Sequence, residues 1–373
     1  MSDPWHYPRP QLAAEYLDRF DTGLIAARAL YASRRRGKST FLVEDLKPAA
    51  ASRRYLVIYC NLWASRHDAA LELRDAIQSA LEPPGVLNRL RRAAQTPVKK
   101  LKISGKSPVL GEASAELDLD NRKPNDTTAI REISKGLEQL NAGKRRVLLL
   151  IDEAQILADS RHEALASALR ASLDTKKDRI KVIFTGSSED ALRRMFGDQS
   201  LPFYRWAAIE PFPLLGEDFV GHLVATFAVI SKFSLPIDAA LQAYRVLGEV
   251  PEYMRLFLDK LAANPFQEVS GALASTQKQI VMDAGYPERW RAMTPTDRAL
   301  LVLIASGGQD LHGVEARREI ARLTSRTAKE VAPTTVANSL RRLLLQDLIA
   351  RTGHGQYRIA DDIFREWIRT GRD

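Results

Sequence analysis

The sequence predicts a doubly wound α/β fold, a parallel sheet covered by helices on both faces, followed by a mostly helical second half. Three observations carry this. Short β-branched or apolar runs alternate with amphipathic helical stretches up to Ile180–Phe184, the alternation expected of a right-handed parallel sheet. The most apolar run of all, Val147-Leu148-Leu149-Leu150-Ile151, is closed abruptly by Asp152-Glu153, as in a central strand buried on both faces. Beyond Pro211-Phe212-Pro213 the strand signals stop and helical periodicity takes over.

In chain order, residues 1–20 are polar, carry three prolines with Trp5, Tyr7 and Tyr16, and read as an arm lying on the domain. The α/β unit spans 21–210. It begins with an apolar strand-like run from Leu24 to Ala32, a basic loop and a helix-like Phe41–Leu46. Tyr55-Leu56-Val57-Ile58-Tyr59 reads as a buried strand, and a helix with Leu71, Leu73, Ile77 and Leu81 follows until Pro83-Pro84-Gly85 stops it. Residues 83–125, with Lys99-Lys100 and two short alternating stretches, read as a hairpin-like insertion. Ile130, Ile133, Leu137 and Leu140 mark the helix before the apolar strand, and Leu165 and Leu169 the helix after it. Residues 211–285 form an all-helical lid with helices at Asp218–Ser231, Ile237–Leu247 and Pro251–Leu261. Residues 286–373 form the last unit, in which, from Thr296 onward, three helices precede Leu348-Ile349-Ala350-Arg351, a turn and Gln356-Tyr357-Arg358-Ile359, the layout of a winged helix.

Composition excludes several classes. No window of the 373 residues approaches the roughly 18 uninterrupted apolar residues that a membrane span needs, so a cytoplasmic protein without membrane contact is expected. Cys60 is the only cysteine, and the six histidines are scattered, which argues against a disulfide framework or a structural zinc site. The net charge of +9 admits an anionic partner without identifying it.

The residues that carry chemistry are Ala32-x-x-x-x-Gly37-Lys38-Ser39, placed between a strand and a helix. Backbone N–H groups of such a loop, with the positive end of the helix behind them, cradle phosphates. Gly37 permits close approach, Lys38 contacts the β- and γ-phosphates, and Ser39 can ligate Mg²⁺, with Arg36 and Thr40 completing the nucleotide-binding stretch. Asp152 and Glu153 stand at the carboxyl end of the most apolar strand, where ligands of open α/β sheets gather. Asp152 would hold Mg²⁺ through its water shell and Glu153 would polarise the attacking water. The expected cofactors are therefore ATP and Mg²⁺, on a P-loop NTPase sheet.

These residues resemble a known family. Leu30-Tyr31-Ala32-Ser33-Arg34-Arg35-Arg36-Gly37-Lys38-Ser39 is similar to the phosphate loop of the archaeal-type ATPases, a branch of P-loop ATPases between AAA+ initiators and STAND switches. Leu150-Ile151-Asp152-Glu153-Ala154-Gln155 resembles their Walker B strand, and Ile183-Phe184-Thr185-Gly186-Ser187-Ser188 their sensor-1 strand. Pro202-Phe203-Tyr204-Arg205 resembles their P-F/L-Y-G-R turn, and Leu247-Gly248-Glu249-Val250-Pro251-Glu252-Tyr253 their lid motif. Ala32 stands for the first loop glycine, Trp206 follows Tyr204-Arg205, and Glu249 stands for the second lid glycine; no catalytic group is lost. The resemblance implies that Thr185 or Ser187 senses the γ-phosphate, that Pro251 presses on the adenine, and that Arg205 is an arginine finger offered to a neighbouring subunit. Arg193 and Arg194 are rivals for that role, Arg205 can equally be a surface cation beside an aromatic, and Ser187 can equally be a helix N-cap.

The tail is a second candidate site. Its third helix, Thr334–Leu345, would bury Val336, Leu340 and Leu344 and expose Thr335, Asn338, Arg341 and Arg342, while Arg351 and Arg358 lie on the wing, a set suited to duplex DNA. The sequence thus points to an ATP-binding and ATP-hydrolysing switch acting on DNA or a protein partner, with a homo-oligomer in view. The competing readings are a DNA-binding regulator with a structural nucleotide and an ATPase subunit of a mobile-element or defence complex.

Overall fold

The computed structural model describes residues 3–64, 68–82, 126–264, 268–308, 310–327, 331–346, 348–353 and 355–370. The hairpin-like insertion expected at 83–125 lies outside them. Among the described residues, β1 (Ala27–Tyr31), β2 (Leu56–Asn61), β3 (Val147–Asp152), β4 (Ile180–Gly186) and β5 (Ala208–Pro211) form one sheet in the order β2-β3-β4-β1-β5, parallel at every pairing. Between the strands run a helical segment α2 (38–52), then α3 (Ala69–Leu81), α4 (Asp126–Ala142), α5 (Glu163–Asp174) and α6 (Glu189–Gly197).

Alternation along β3 explains the double winding. Val147, Leu149 and Ile151 pack on one face with Leu73, Ile77, Leu137 and Leu169, while Leu148 and Leu150 pack on the other with Phe41, Leu42 and Leu46. Every residue of β3 and β4 is buried. β5 is the strand that patterning does not reveal. It has four residues, two of them Glu210 and Pro211, and it sits at the sheet edge, where a proline costs no ladder bond.

The expected N-terminal arm is instead largely helical. Pro10, whose ring suits the first turn, starts helix α1 (Pro10–Asp21), and Ala13, Tyr16, Leu17 and Phe20 recur at helical spacing to enter the core beside Leu30 and Phe41. Residues 10–20 are therefore part of the domain, because four apolar side chains on one stripe gain more by burial than by lying in water.

The second half contains α7 (Glu217–Ser231), α8 (Ile237–Val246), α9 (Pro251–Ala263), α10 (Val269–Asp283) and α11 (Tyr286–Ala292). It continues with α12 (Pro295–Ala305), α13 (Val314–Leu323), α14 (Pro333–Leu345), the antiparallel hairpin β6 (Ile349–Gly353) and β7 (Gln356–Ile359), and α15 (Asp362–Thr370). Three helices and a hairpin thus follow in the expected order, with α15 added. One continuous core runs from Phe219 to Ile368, crossing the expected boundary at 285/286. Tyr286, Trp290, Phe364 and Trp367 join the two sides, with Tyr286 and Phe364 centroids 4.8 Å apart and Tyr286 donating to Asp361 at 2.6 Å. No helix among the described residues is long and apolar enough to cross a membrane.

Candidate functional site

The sheet order brings three strand ends together. β4 lies between β1 and β3, with Leu30 opposite Thr185 and Ile151 opposite Phe184, so the loop after β1, the Asp152-Glu153 pair and Thr185 converge at one edge. Gly37 has φ of +81° and Arg35 of +65°, two left-handed positions that fold the loop back on itself before α2 begins at Lys38. The Lys38 ammonium is buried and donates to the carbonyls of Ala32 at 2.7 Å and Ser33 at 3.0 Å. Burial lowers its pKa; the charges of Glu153 and Asp152 oppose this, and Arg34 and Arg36 add to the lowering.

Asp152 is fully buried at the end of β3, a position an unpaired carboxylate could hold only at great cost. Four donors compensate. Ser39 donates to Oδ2 at 2.5 Å and Tyr59 to the same oxygen at 3.1 Å, while the Thr185 hydroxyl and the Glu153 N–H, at 3.1 Å, donate to Oδ1. Burial first, and then the charge of Asp152, raises the Tyr59 phenol pKa, so it stays a donor. Glu153 adopts a left-handed φ of +56°, uncommon for a residue with a side chain and of the kind that concentrates at functional sites. Its Oε2 accepts from Ser187 at 2.8 Å and from the Gln155 amide. The Gln155 Oε1 is buried with no hydrogen-bond partner among the described residues.

A cavity of about 560 Å³ opens beside this centre. Arg34 to Arg36 and Ser187 to Asp190 line it on the sheet side, Gly248, Val250 and Tyr253 on the lid side, and Arg358 with Asp362 on the far side. Loop arginines tie these walls together. Arg35 donates to the Tyr253 hydroxyl at 2.7 Å, and Arg36 donates to the Glu249 carbonyl at 2.6 Å and lies 3.6 Å from Asp362.

Solved structures share the overall fold of this chain. The chain is similar over 98% of its length to the whole of a Walker-type ATPase of Pyrococcus abyssi, with a TM-score of 0.63 at 20% identity. The fold is that of a P-loop NTPase. It is also similar over 97% of its length to 93% of the ORC2 protein of Aeropyrum pernix in its ADPNP–ADP complexes, with a TM-score of 0.56 at 16% identity. No family model matches the chain, and no curated protein matches it in sequence.

Within this P-loop fold, Gly37, Lys38, Ser39, Asp152, Glu153, Thr185 and Ser187 meet at one place, and Thr40 follows them exposed on the first turn of α2. Arg36 instead faces the lid. Pro251 is half-buried in the first turn of α9, next to Val250 on the cavity wall. Ser187 is not the N-cap of α6. Ser188 takes that role, accepting from the Ala191 N–H, so that Ser187 is left to bind Glu153.

Arg205 is exposed beside the Tyr204 ring at φ +53°, the conformation suited to the glycine that precedes arginine in the resembled turn. Trp206 after it is packed against Phe184 and Phe203. Arg193 pairs with Glu189, and Arg194 donates to the Ala158 carbonyl.

In the tail, Asn338 and Arg341 are exposed and Thr335 is half-buried. Leu343 joins Val336 and Leu340 in the core, with Leu344 at its margin. Arg342 is held by Asp297 at 2.9 Å and by Ser339 at 2.9 Å. The Arg351 N–H donates to Asp190 at 2.8 Å, and Arg358 lines the cavity, so the hairpin lies against the α/β unit next to the site. Sequence patterning missed Tyr59, although its position two residues before the end of β2 carries it to Asp152, and it gave Gln155 no role within the quoted Walker B run.

Proposed function

We propose that this chain is a Mg²⁺-dependent ATPase of the AAA+ or STAND kind, close to the archaeal-type ATPases, whose nucleotide state sets the position of a helical lid (211–285) and a winged helix (286–373). The observation that supports it most is the buried Asp152 carboxylate, gripped by Ser39, Thr185 and Tyr59 directly behind a glycine-lysine loop. A buried acid so placed fits a cation–phosphate ligand, and the Lys38 ammonium resting on loop carbonyls fits the same cradle. Lys38 would move from those carbonyls to the β- and γ-phosphates. Ser39 and Asp152 would hold Mg²⁺, which when bound neutralises charge on the transferring phosphoryl group. Glu153, steered by Ser187 and Gln155, would orient the attacking water as its general base. Thr185 and Ser187 would register the γ-phosphate, and Pro251 with Val250 would bound the base.

The loop reaches both lid and tail through Arg36, which meets Glu249 and Asp362, and Asp190 at the start of α6 holds the hairpin backbone. A nucleotide that rearranged the loop would move both. The partner acted upon is duplex DNA or a protein, reached through Thr335, Asn338, Arg341, Arg342, Arg351 and Arg358, and Arg205 would complete the site of a neighbouring copy. The test is phosphate release with and without duplex DNA, together with mass measurement in ADP and in a non-hydrolysable ATP analogue. Turnover supports the reading. Tight nucleotide binding with no phosphate release moves the protein to a DNA-binding regulator with a structural nucleotide.

A further inference from the structure

The N-terminal segment places a half-buried cation against the loop that carries Gly37, outside every motif. Arg9, the residue before α1, lies with its guanidinium 4.9 Å from the Phe41 ring centroid and 4.7 Å from that of Phe212. Its Nη2 donates to the Gly37 carbonyl at 3.1 Å and its Nη1 to the Pro213 carbonyl at 3.5 Å. Its backbone N–H donates to Asp45 Oδ1 at 3.1 Å, and His6 Nε2 lies 2.9 Å from the same oxygen. Arg9 Nε and Asp45 Oδ2 stand 3.9 Å apart, both buried and without a hydrogen-bond partner among the described residues. An arginine serving only the core would close a two-pronged pair with that carboxylate. This one leaves the pair open while its Nη2 reaches the loop.

We propose that Arg9 is a positioning residue for the phosphate cradle, acting through the Gly37 carbonyl; this rests on the ATP-site reading above. The peptide between Gly37 and Lys38 is planar and trans, so its C=O and N–H point in opposite directions. The carbonyl is held from two sides, by Arg9 and by the Phe41 N–H at 3.0 Å. Fixing it there aims the Lys38 N–H the other way, toward the phosphates. Gly37 most needs such a brace, because a residue without Cβ at φ +81° resists a peptide flip least. The charge on Arg9 also polarises the amide it holds, making its N–H a stronger donor.

The experiment compares wild type with Arg9→Met, which keeps bulk between the two rings but donates nothing, and Arg9→Lys, which keeps a charged donor. Dissociation constants for ADP, KM and kcat for ATP, and the nucleotide-free melting temperature are measured for each. Loss of one charge-assisted hydrogen bond predicts about a tenfold rise in Kd and KM for Arg9→Met, kcat within about twofold, and substantial recovery in Arg9→Lys. Unchanged Kd and KM in a folded Arg9→Met protein overturn the inference, as does a loss that Arg9→Lys leaves in full. Should Arg9→Met fail to fold, Asp45→Asn, which loosens the anchor of Arg9, takes its place with the same expected rise. Lys38→Ala is the control for the underlying site. If wild type binds no nucleotide, the ATP reading fails; if wild type binds, Lys38→Ala does not and the Arg9 variants match wild type, only the role of Arg9 fails.

Discussion

Ser187 donates its hydroxyl hydrogen to Glu153 Oε2 at 2.8 Å, linking the residue after β4 to the acid after β3. Ser188 caps the next helix, so this bond has no part in starting α6. Removing it frees the Glu153 carboxylate to rotate while the phosphate loop is untouched. Ser187→Ala should lower turnover about tenfold with ADP affinity unchanged, and Glu153→Gln should abolish turnover with binding retained. Phosphate release and nucleotide titration measure the two quantities separately, and unchanged turnover in Glu153→Gln would make Glu153 structural.

Lys38 is the one loop ammonium resting on the Ala32 and Ser33 carbonyls. In the proposed ATP site Lys38→Ala would remove the charge directed at the β- and γ-phosphates, and it should abolish measurable ATP binding. Calorimetric titration decides it: wild-type affinity in this variant would put the nucleotide elsewhere.

Gly186 is closely walled. A Cβ there would meet Gln155 Oε1 at 2.5 Å and Leu192 Cδ1 at 2.7 Å. Gly186→Ala should cost about 1–3 kcal/mol of stability, as overpacked positions do, and should reduce turnover because Gln155 would be pushed from Glu153. Denaturant unfolding and the ATPase rate are the measurements, and a neutral result in both would remove Gln155 from the site.

Arg205 is exposed at its left-handed position. If it reaches a neighbouring copy's nucleotide, Arg205→Ala should lower turnover by about 10³-fold with affinity nearly intact, and the wild-type specific rate should rise with protein concentration. A specific rate independent of concentration would argue against assembly of the site between copies.

Two of the tail arginines should behave differently. Arg341 is exposed, and Arg341→Ala should flatten the logarithmic salt slope of duplex binding by nearly one. Arg342 is tied to the buried Asp297 while about half exposed itself, so Arg342→Ala should chiefly destabilise the fold, by about 1 kcal/mol after allowance for screening. Fluorescent-duplex titrations across salt and thermal unfolding separate these effects. Absence of duplex binding at low salt in every nucleotide state would move the tail to a protein-contact role.

The parts that were legible in the sequence are those written as local pattern. β3 announced itself because a strand buried on both faces must be apolar throughout, and Asp152-Glu153 because charge at its end breaks that run abruptly. The Gly37-Lys38-Ser39 loop was legible because backbone approach to phosphate needs a glycine beside a cation and a hydroxyl. β5 was not, since an edge strand of four residues carries no periodicity to detect. The role of Ser187 is ambiguous in sequence because two adjacent serines can both cap a helix, and only the φ and ψ of the turn choose between them.

By itself, then, the sequence determined the doubly wound sheet, the glycine-lysine loop after β1, the acidic pair and the succession of helices before the hairpin, because each follows from the chemistry of neighbours along the chain. Tertiary structure alone decided what neighbours in space do. It drew Arg9 to the Gly37 carbonyl across 28 positions, placed Tyr59 on Asp152 across 93, and set the Arg351 N–H on Asp190 across 161. Such contacts leave no mark on local periodicity, since their partners are chosen by the order of strands in the sheet and by the burial of a charge that must find a donor or an acceptor wherever the fold supplies one.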